Sequence, residues 1–118
     1  MTNMDMRQNP KMQTAAKDCY DCHRMCEQTI SEVMRTDWQT AQHESIMAMM
    51  DCADMSGICA DMMMRGSAMT DQMVTMCADA CVRCADMCDR AGHTECAQAC
   101  RQCADSCRKV AAEMAKMS

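Results

Sequence analysis

Thirteen cysteines stand in this 118-residue chain, and they recur at a few fixed intervals. Cys19, Cys22 and Cys26 are spaced three then four residues apart. Cys77, Cys81, Cys84 and Cys88 are spaced four, three, four, and Cys96, Cys100, Cys103 and Cys107 repeat that pattern. Cys52 and Cys59 are seven apart. Each interval returns to the same stripe of an α-helix, so the thiols fall on seams where Leu would ordinarily lie. An odd number of cysteines cannot close a complete disulfide framework. The start of the sequence, MTNMDMRQNP, lacks a basic stretch followed by an apolar one. The expectation is therefore a cytoplasmic, reducing setting, where dense cysteines bind metal more often than they cross-link.

Thiolates select soft metals, and thioether sulfur narrows the choice towards Cu(I). The chain has 19 Met. Met55 falls between Cys52 and Cys59 on the expected seam of its helix. Met12, Met62 and Met73 fall with Met63, Met64, Met69, Met76, Met114 and Met117 at one end of the expected fold. They are read as thioether ligands around a mouth through which Cu(I) enters, with Ile30, Val33, Trp38 and Ile46 plugging the other end. Neighbouring thiols on a helix, such as Cys22/Cys26, Cys77/Cys81, Cys84/Cys88, Cys96/Cys100 and Cys103/Cys107, can share one ion. Roughly one Cu(I) per thiolate leaves the interior near neutral, whereas unpaired buried thiolates are very costly.

Other chemistries fit less well. Structural zinc wants separate sets of N/S ligands, and continuous stripes do not divide into such sets. Cys19-Tyr20-Asp21-Cys22-His23 has the CxxCH form of a haem attachment site, but no Leu or Phe is present to line a haem pocket. Iron–sulfur signatures place their cysteines in loops, often with Pro after the run, which does not occur here. CxxC pairs at Cys19/Cys22, Cys81/Cys84 and Cys100/Cys103 lack the βαβ surroundings of a thiol redox enzyme. Zinc binding and thiol-redox or haem-type electron transfer remain the alternatives. His23, His43 and His93 read as polar residues flanking the stripes. No paired-carboxylate site, phosphate loop or nucleophile–base arrangement appears, so no catalysis is expected.

The elements that position these residues follow from composition. Only one Pro and three Gly occur, and Pro10, Gly66 and Gly92 sit at joints. Helices are expected over about 11–35, 41–65, 69–91 and 94–116, with a loop at Asp37 and Trp38. Gly66 and Gly92 close the second and third, Ser67 or Thr70 caps the third, and Thr94 caps the fourth. Residues 1–10 form a flexible Met-rich tail, and residues 11–118 the domain. The segments CADACVRCADMC and CAQACRQCADSC are one repeated unit. Short joints make successive helices antiparallel neighbours, so the fold class is all-α, an up-down-up-down four-helix bundle with a Cys-lined core.

The interior has little else to use. The chain contains 17 Ala, three Ile, four Val, no Leu and no Phe. A net charge of −5 excludes the electrostatic footprint of a nucleic-acid binder. No apolar run approaches the roughly 18 residues of a membrane span. Asp79, Arg83, Asp86, Asp89, Gln98, Arg101, Asp105 and Arg108 lie between the cysteines and read as the solvent face.

In these residues the sequence resembles the copper storage proteins, Cys-rich four-helix bundles with repeated CxxxCxxCxxxC helices. MCADACVRCADMC and ECAQACRQCADSC match that motif, Cys19, Cys22 and Cys26 match the first-helix pattern, and Asp51-Cys52-Ala53-Asp54 resembles the second helix. The resemblance spans about residues 12–114. It implies many Cu(I) ions held by Cys thiolates, no catalysis, and a homotetramer; a copper chaperone or efflux protein is the partner expected for such a store. Ser56 stands where that pattern would have a second-helix Cys, and Ala15 and Met12 stand where further first-helix cysteines could sit, which implies a lower capacity.

Overall fold

The computed structural model describes residues 6–36 and 42–117. Four helices follow one another, α1 (Pro10–Thr36), α2 (His43–Arg65), α3 (Thr70–Ala91) and α4 (Thr94–Met117). There is no β-strand among the described residues. Each helix packs against its two neighbours in a ring, α1 on α2 and α4, α3 on α2 and α4. The all-α four-helix bundle expected from the spacing is what forms. Trp38 and the rest of the α1–α2 loop lie outside the described residues, as do residues 1–5 of the expected tail. Met6–Gln8, also placed in that tail, form a 3-10 turn that contacts α1 and α2.

The helix ends are set by local chemistry. Asn9 is buried, its side-chain oxygen accepts from the Lys11 amide at 2.8 Å, and its carbonyl accepts from the Gln13 amide at 3.0 Å. Asn9 is thus the N-cap, with Pro10 in the first helical position, where its missing N–H costs nothing. That starts α1 one residue before the expected Lys11. At the end of α2, Gly66 is left-handed at φ 67°, the Gly66 amide donates to Met63 O and the Ser67 amide to Met62 O at 2.9 Å. Gly92 closes α3 in the same way at φ 84°, with the His93 amide donating to Cys88 O at 2.8 Å. These paired bonds satisfy carbonyls that would otherwise be orphaned, in a conformation that favours glycine. The start of α3 differs from expectation. Met69 is the N-cap residue, and Ser67 Oγ accepts from the Met69 amide at 3.1 Å, one turn short of the helix.

The core consists of all thirteen cysteines, each at most 1% exposed, flanked by alanines. Ala15, Ala53, Ala60, Ala78, Ala85, Ala97 and Ala104 are all buried beside them. Small side chains beside the seam let the helix backbones approach closely enough for sulfurs on facing helices to touch. Met12, Met49, Met63, Met73, Val74 and Val110 are the larger apolar side chains packed into the same interior. Asp18 is the one buried acid among the described residues. It accepts from Ser106 Oγ and from Gln102 Nε2 across the α1–α4 seam, the latter at 3.2 Å. The eight polar residues assigned to the outer faces of α3 and α4 are all exposed, and Arg101 pairs with Asp86 and Asp89 on the neighbouring helix.

Candidate metal centre

The thiols converge on the bundle axis. The shortest contacts run between helices: Cys19 to Cys103 at 3.4 Å and to Cys107 at 3.6 Å, Cys22 to Cys52 at 3.5 Å, Cys52 to Cys81 at 3.6 Å and to Cys100 at 3.7 Å, and Cys26 to Cys96 at 3.7 Å. Pairs within one helix are longer, Cys84 to Cys88 at 3.8 Å and Cys77 to Cys81 at 4.0 Å. Sequence spacing places the thiols on one stripe of each helix. Only the packing brings the stripes together, and it makes the cross-helix pairs the closest. All thirteen cysteines are free thiols, far beyond the roughly 2.05 Å of a disulfide.

Four sets of sulfurs lie within 4.8 Å of one another: Cys19/Cys59/Cys77/Cys107, Cys22/Cys26/Cys52/Cys100, Cys26/Cys84/Cys96/Cys100 and Cys22/Cys81/Cys103. An ion with sulfur bonds of about 2.3 Å separates its ligands by about 3.8 Å in a tetrahedron and about 4.0 Å in a triangle. The observed contacts match both. One property distinguishes the array from a row of separate zinc sites. Cys22, Cys26 and Cys100 each belong to two sets, so the sites share corners and a metal chain there needs bridging thiolates. In addition, no described His, Asp or Glu joins any set, so the donors are purely soft. Cys88 belongs to no set and touches Cys84 at the end of the row.

The thiols do not share one acidity. Cys22, Cys84 and Cys77 are shifted below the ordinary thiol range by the sulfurs beside them, first by Cys100 for Cys22 and Cys84 and first by Cys103 for Cys77. Cys100 is pushed up, chiefly by its bond to Cys22, and Cys81 by its bond to Cys103. Cys96, near the start of α4, is lowered to about 4. Its largest cause is the neighbouring Cys100 sulfur, followed by Cys26.

The methionines divide. Met12 and Met73 are buried, as is Met63, while Met62 is half-buried. Met6, Met12 and Met114 line a cavity of about 200 Å³ at their end of the bundle, together with Gly66, Ser67 and Thr70. The seam of α2 departs from expectation. Met55 is half-buried, and the inward positions are Met49, Cys52, Ser56, Cys59 and Met63. Cys52 and Cys59 alone leave positions 55 and 56 about 50° to either side of the seam, at roughly 100° per residue. Ala53 and Ala60 lie on the side of Ser56, and burial follows the small residues. Met49 carried a signal that was missed, three residues before Cys52.

Of the plug expected at the other end, Trp38 lies outside the described residues. Val33 is buried, and Ile30 and Ile46 pack partly buried against the core. Even so, a cleft of about 490 Å³ lies there between α1 and the start of α4, and Val33, His93 and Cys96 line it. His23 turns away from the thiols, with its Nδ1 2.7 Å from Ala53 O. Cys19 and Cys22 of the CxxCH segment both face the sulfur array, which leaves that segment no separate haem site.

The comparisons with known proteins agree with this geometry. The model of the copper storage protein family matches residues 8–112. No curated protein matches. Among solved structures, the copper storage protein Ccsp from Streptomyces lividans, loaded with 10 copper equivalents, is similar over 95% of this chain and 93% of its own, at 26% identity and a TM-score of 0.82. With a family match over nearly the whole chain and thirteen thiols gathered on the axis of the same fold, this chain belongs to the copper storage protein family.

Proposed function

We propose that the protein stores copper as Cu(I), many ions per chain and about one per cysteine, inside the bundle and on the thiolates of Cys19, Cys22, Cys26, Cys52, Cys59, Cys77, Cys81, Cys84, Cys88, Cys96, Cys100, Cys103 and Cys107. The observation that carries this reading is the sharing of Cys22, Cys26 and Cys100 between adjacent sulfur sets. Shared corners suit an ion that accepts low coordination and bridging thiolates, and the absence of harder donors from the sets suits a soft one. The copper load of the Streptomyces relative supports the same reading.

Loading is an exchange. Each incoming Cu(I) forms bonds to sulfur, and each protonated thiol it engages releases its proton to solvent, so uptake strengthens as pH rises. The added positive charge offsets the thiolate charge that a closed interior could not otherwise hold. The Met6, Met12 and Met114 cavity, with Met62, Met63 and Met73 near it, is a thioether-lined approach in which ions are held more weakly than on the thiolates. Met55 contributes at the margin. The store works in a reducing compartment, as a homotetramer, and receives or yields ions through a chaperone or efflux partner. Storage, rather than catalysis, is its role.

Anaerobic titration of the reduced protein with Cu(I), against a chromophoric Cu(I) chelator, tests this reading. Tight uptake approaching one ion per thiol is expected. Saturation at one or two ions, or preferential binding of Zn²⁺ at a few ions per chain, would overturn it.

A further inference from the structure

Ser56 is fully buried in the middle of α2, and its hydroxyl faces sulfur on every side. It lies 3.7 Å from Cys81 and 3.9 Å from each of Cys52, Cys77 and Cys103. Hydroxyls inside helices commonly bond the carbonyl one turn back, as Thr29 does to Met25 O at 2.8 Å and Thr36 to Glu32 O at 2.7 Å. The contacts of Ser56 go instead to the thiol array. Its four sulfurs come from three of the four sets: Cys52 from one, Cys77 from another, Cys81 and Cys103 from a third. Ser56 therefore occupies a ligand position where those sets meet. An alcohol oxygen is a hard donor and does not compete with thiolates for a soft ion. Once the surrounding thiols have given up their protons, the four sulfurs around the hydroxyl are all acceptors for its O–H. A bond from a neutral donor to a charged acceptor is stronger than one between neutral groups. It draws electron density from the sulfur and weakens that sulfur's hold on metal, as outer hydrogen bonds tune metal sites generally.

We propose that Ser56 is a hydrogen-bond donor built into the sulfur lattice, which leaves the store one ligand short at its centre and makes the copper on Cys52, Cys77, Cys81 and Cys103 the first to be released. The inference rests on the copper-storage reading. It makes Ser56 a positioning and tuning residue, not a ligand.

The test compares the wild type with Ser56→Ala and Ser56→Cys, all reduced and handled anaerobically. Each is loaded to saturation with Cu(I), counted, and then challenged with excess chelator while release is followed in time. S56A is expected to hold as many ions as the wild type and to slow the fastest-released fraction roughly tenfold. S56C is expected to hold one further ion. An ion lost from S56A would make Ser56 a ligand and overturn the proposal. Release from S56A at the wild-type rate would overturn it whatever S56C does, as would S56C at wild-type capacity. In either case a wild type that loads fully leaves the storage reading standing. A wild type that saturates at one or two ions removes both.

Discussion

Cys100 is one of the three sulfurs shared between two sets, and its removal should cost more copper than any count of ligands suggests. It belongs to two of the four sets, with Cys22, Cys26 and Cys52 in one and Cys26, Cys84 and Cys96 in the other. Cys88 belongs to neither and touches Cys84 at the end of the row. Both are buried, so Cys→Ala removes a similar sulfur from a similar interior. Each substitution should cost the metal-free fold about 1 kcal/mol, by analogy with losing one heavy atom from a core. For a domain of this size that lowers the melting temperature by about 4 °C. The copper loss should differ. Cys100→Ala should reduce capacity by about two ions, because two sets lose a corner, and Cys88→Ala by no more than one. Anaerobic titration of both variants, with melts of the metal-free forms as controls, measures this. Equal losses, or a larger loss from Cys88→Ala, would refute the account of shared corners. A melting shift far larger for one variant would show that fold, not ligation, had changed.

Two further outcomes follow from particular contacts. Cys19, Cys26, Cys52, Cys81, Cys88, Cys100, Cys103 and Cys107 are pushed up, while Cys22, Cys77, Cys84 and Cys96 are lowered. Stability from a raised thiol is fully present below its unfolded value of about 8.5 and is lost as pH climbs beyond it. A lowered thiol contributes in the opposite sense, so Cys96 loses its share as pH falls through about 4. With the raised thiols in the majority, the metal-free protein should unfold at lower urea at pH 10 than at pH 7, and copper loading should remove that difference; equal midpoints for the metal-free protein would contradict the sulfur hydrogen-bond network. Asp18→Ala leaves the buried Ser106 hydroxyl without its acceptor in the α1–α4 seam and should cost about 1–3 kcal/mol in a urea melt; a change under 0.5 kcal/mol would show that the buried acid does not fasten these helices.

Much of this was legible because cysteine at spacings of three and four reports a helix face and a ligand set at once. The four helices, their order and the thirteen inward thiols follow from those intervals together with Gly66 and Gly92. The side of α2 that faces inward was not legible. Two cysteines seven apart leave Met55 and Ser56 equivalent, and the choice depends on how closely the neighbouring helices can approach over Ala53 and Ala60. The partners of each sulfur were hidden for a similar reason. Spacing along a helix gives Cys77 with Cys81, whereas the contact of Cys22 with Cys52 exists only once α1 and α2 have docked in register. Asp18 gave no sequence signal of burial, since its partners Gln102 and Ser106 lie on a distant helix.

The location of the metal tests the central claim most directly. Crystals of the reduced, Cu(I)-loaded protein, measured on either side of the copper absorption edge, would place each ion without assumption. The account predicts a row of anomalous peaks along the bundle axis, within bonding distance of Cys22, Cys26, Cys52, Cys100 and the other core thiols. Peaks confined to the surface, or an interior without copper while the thiols remain reduced, would contradict it.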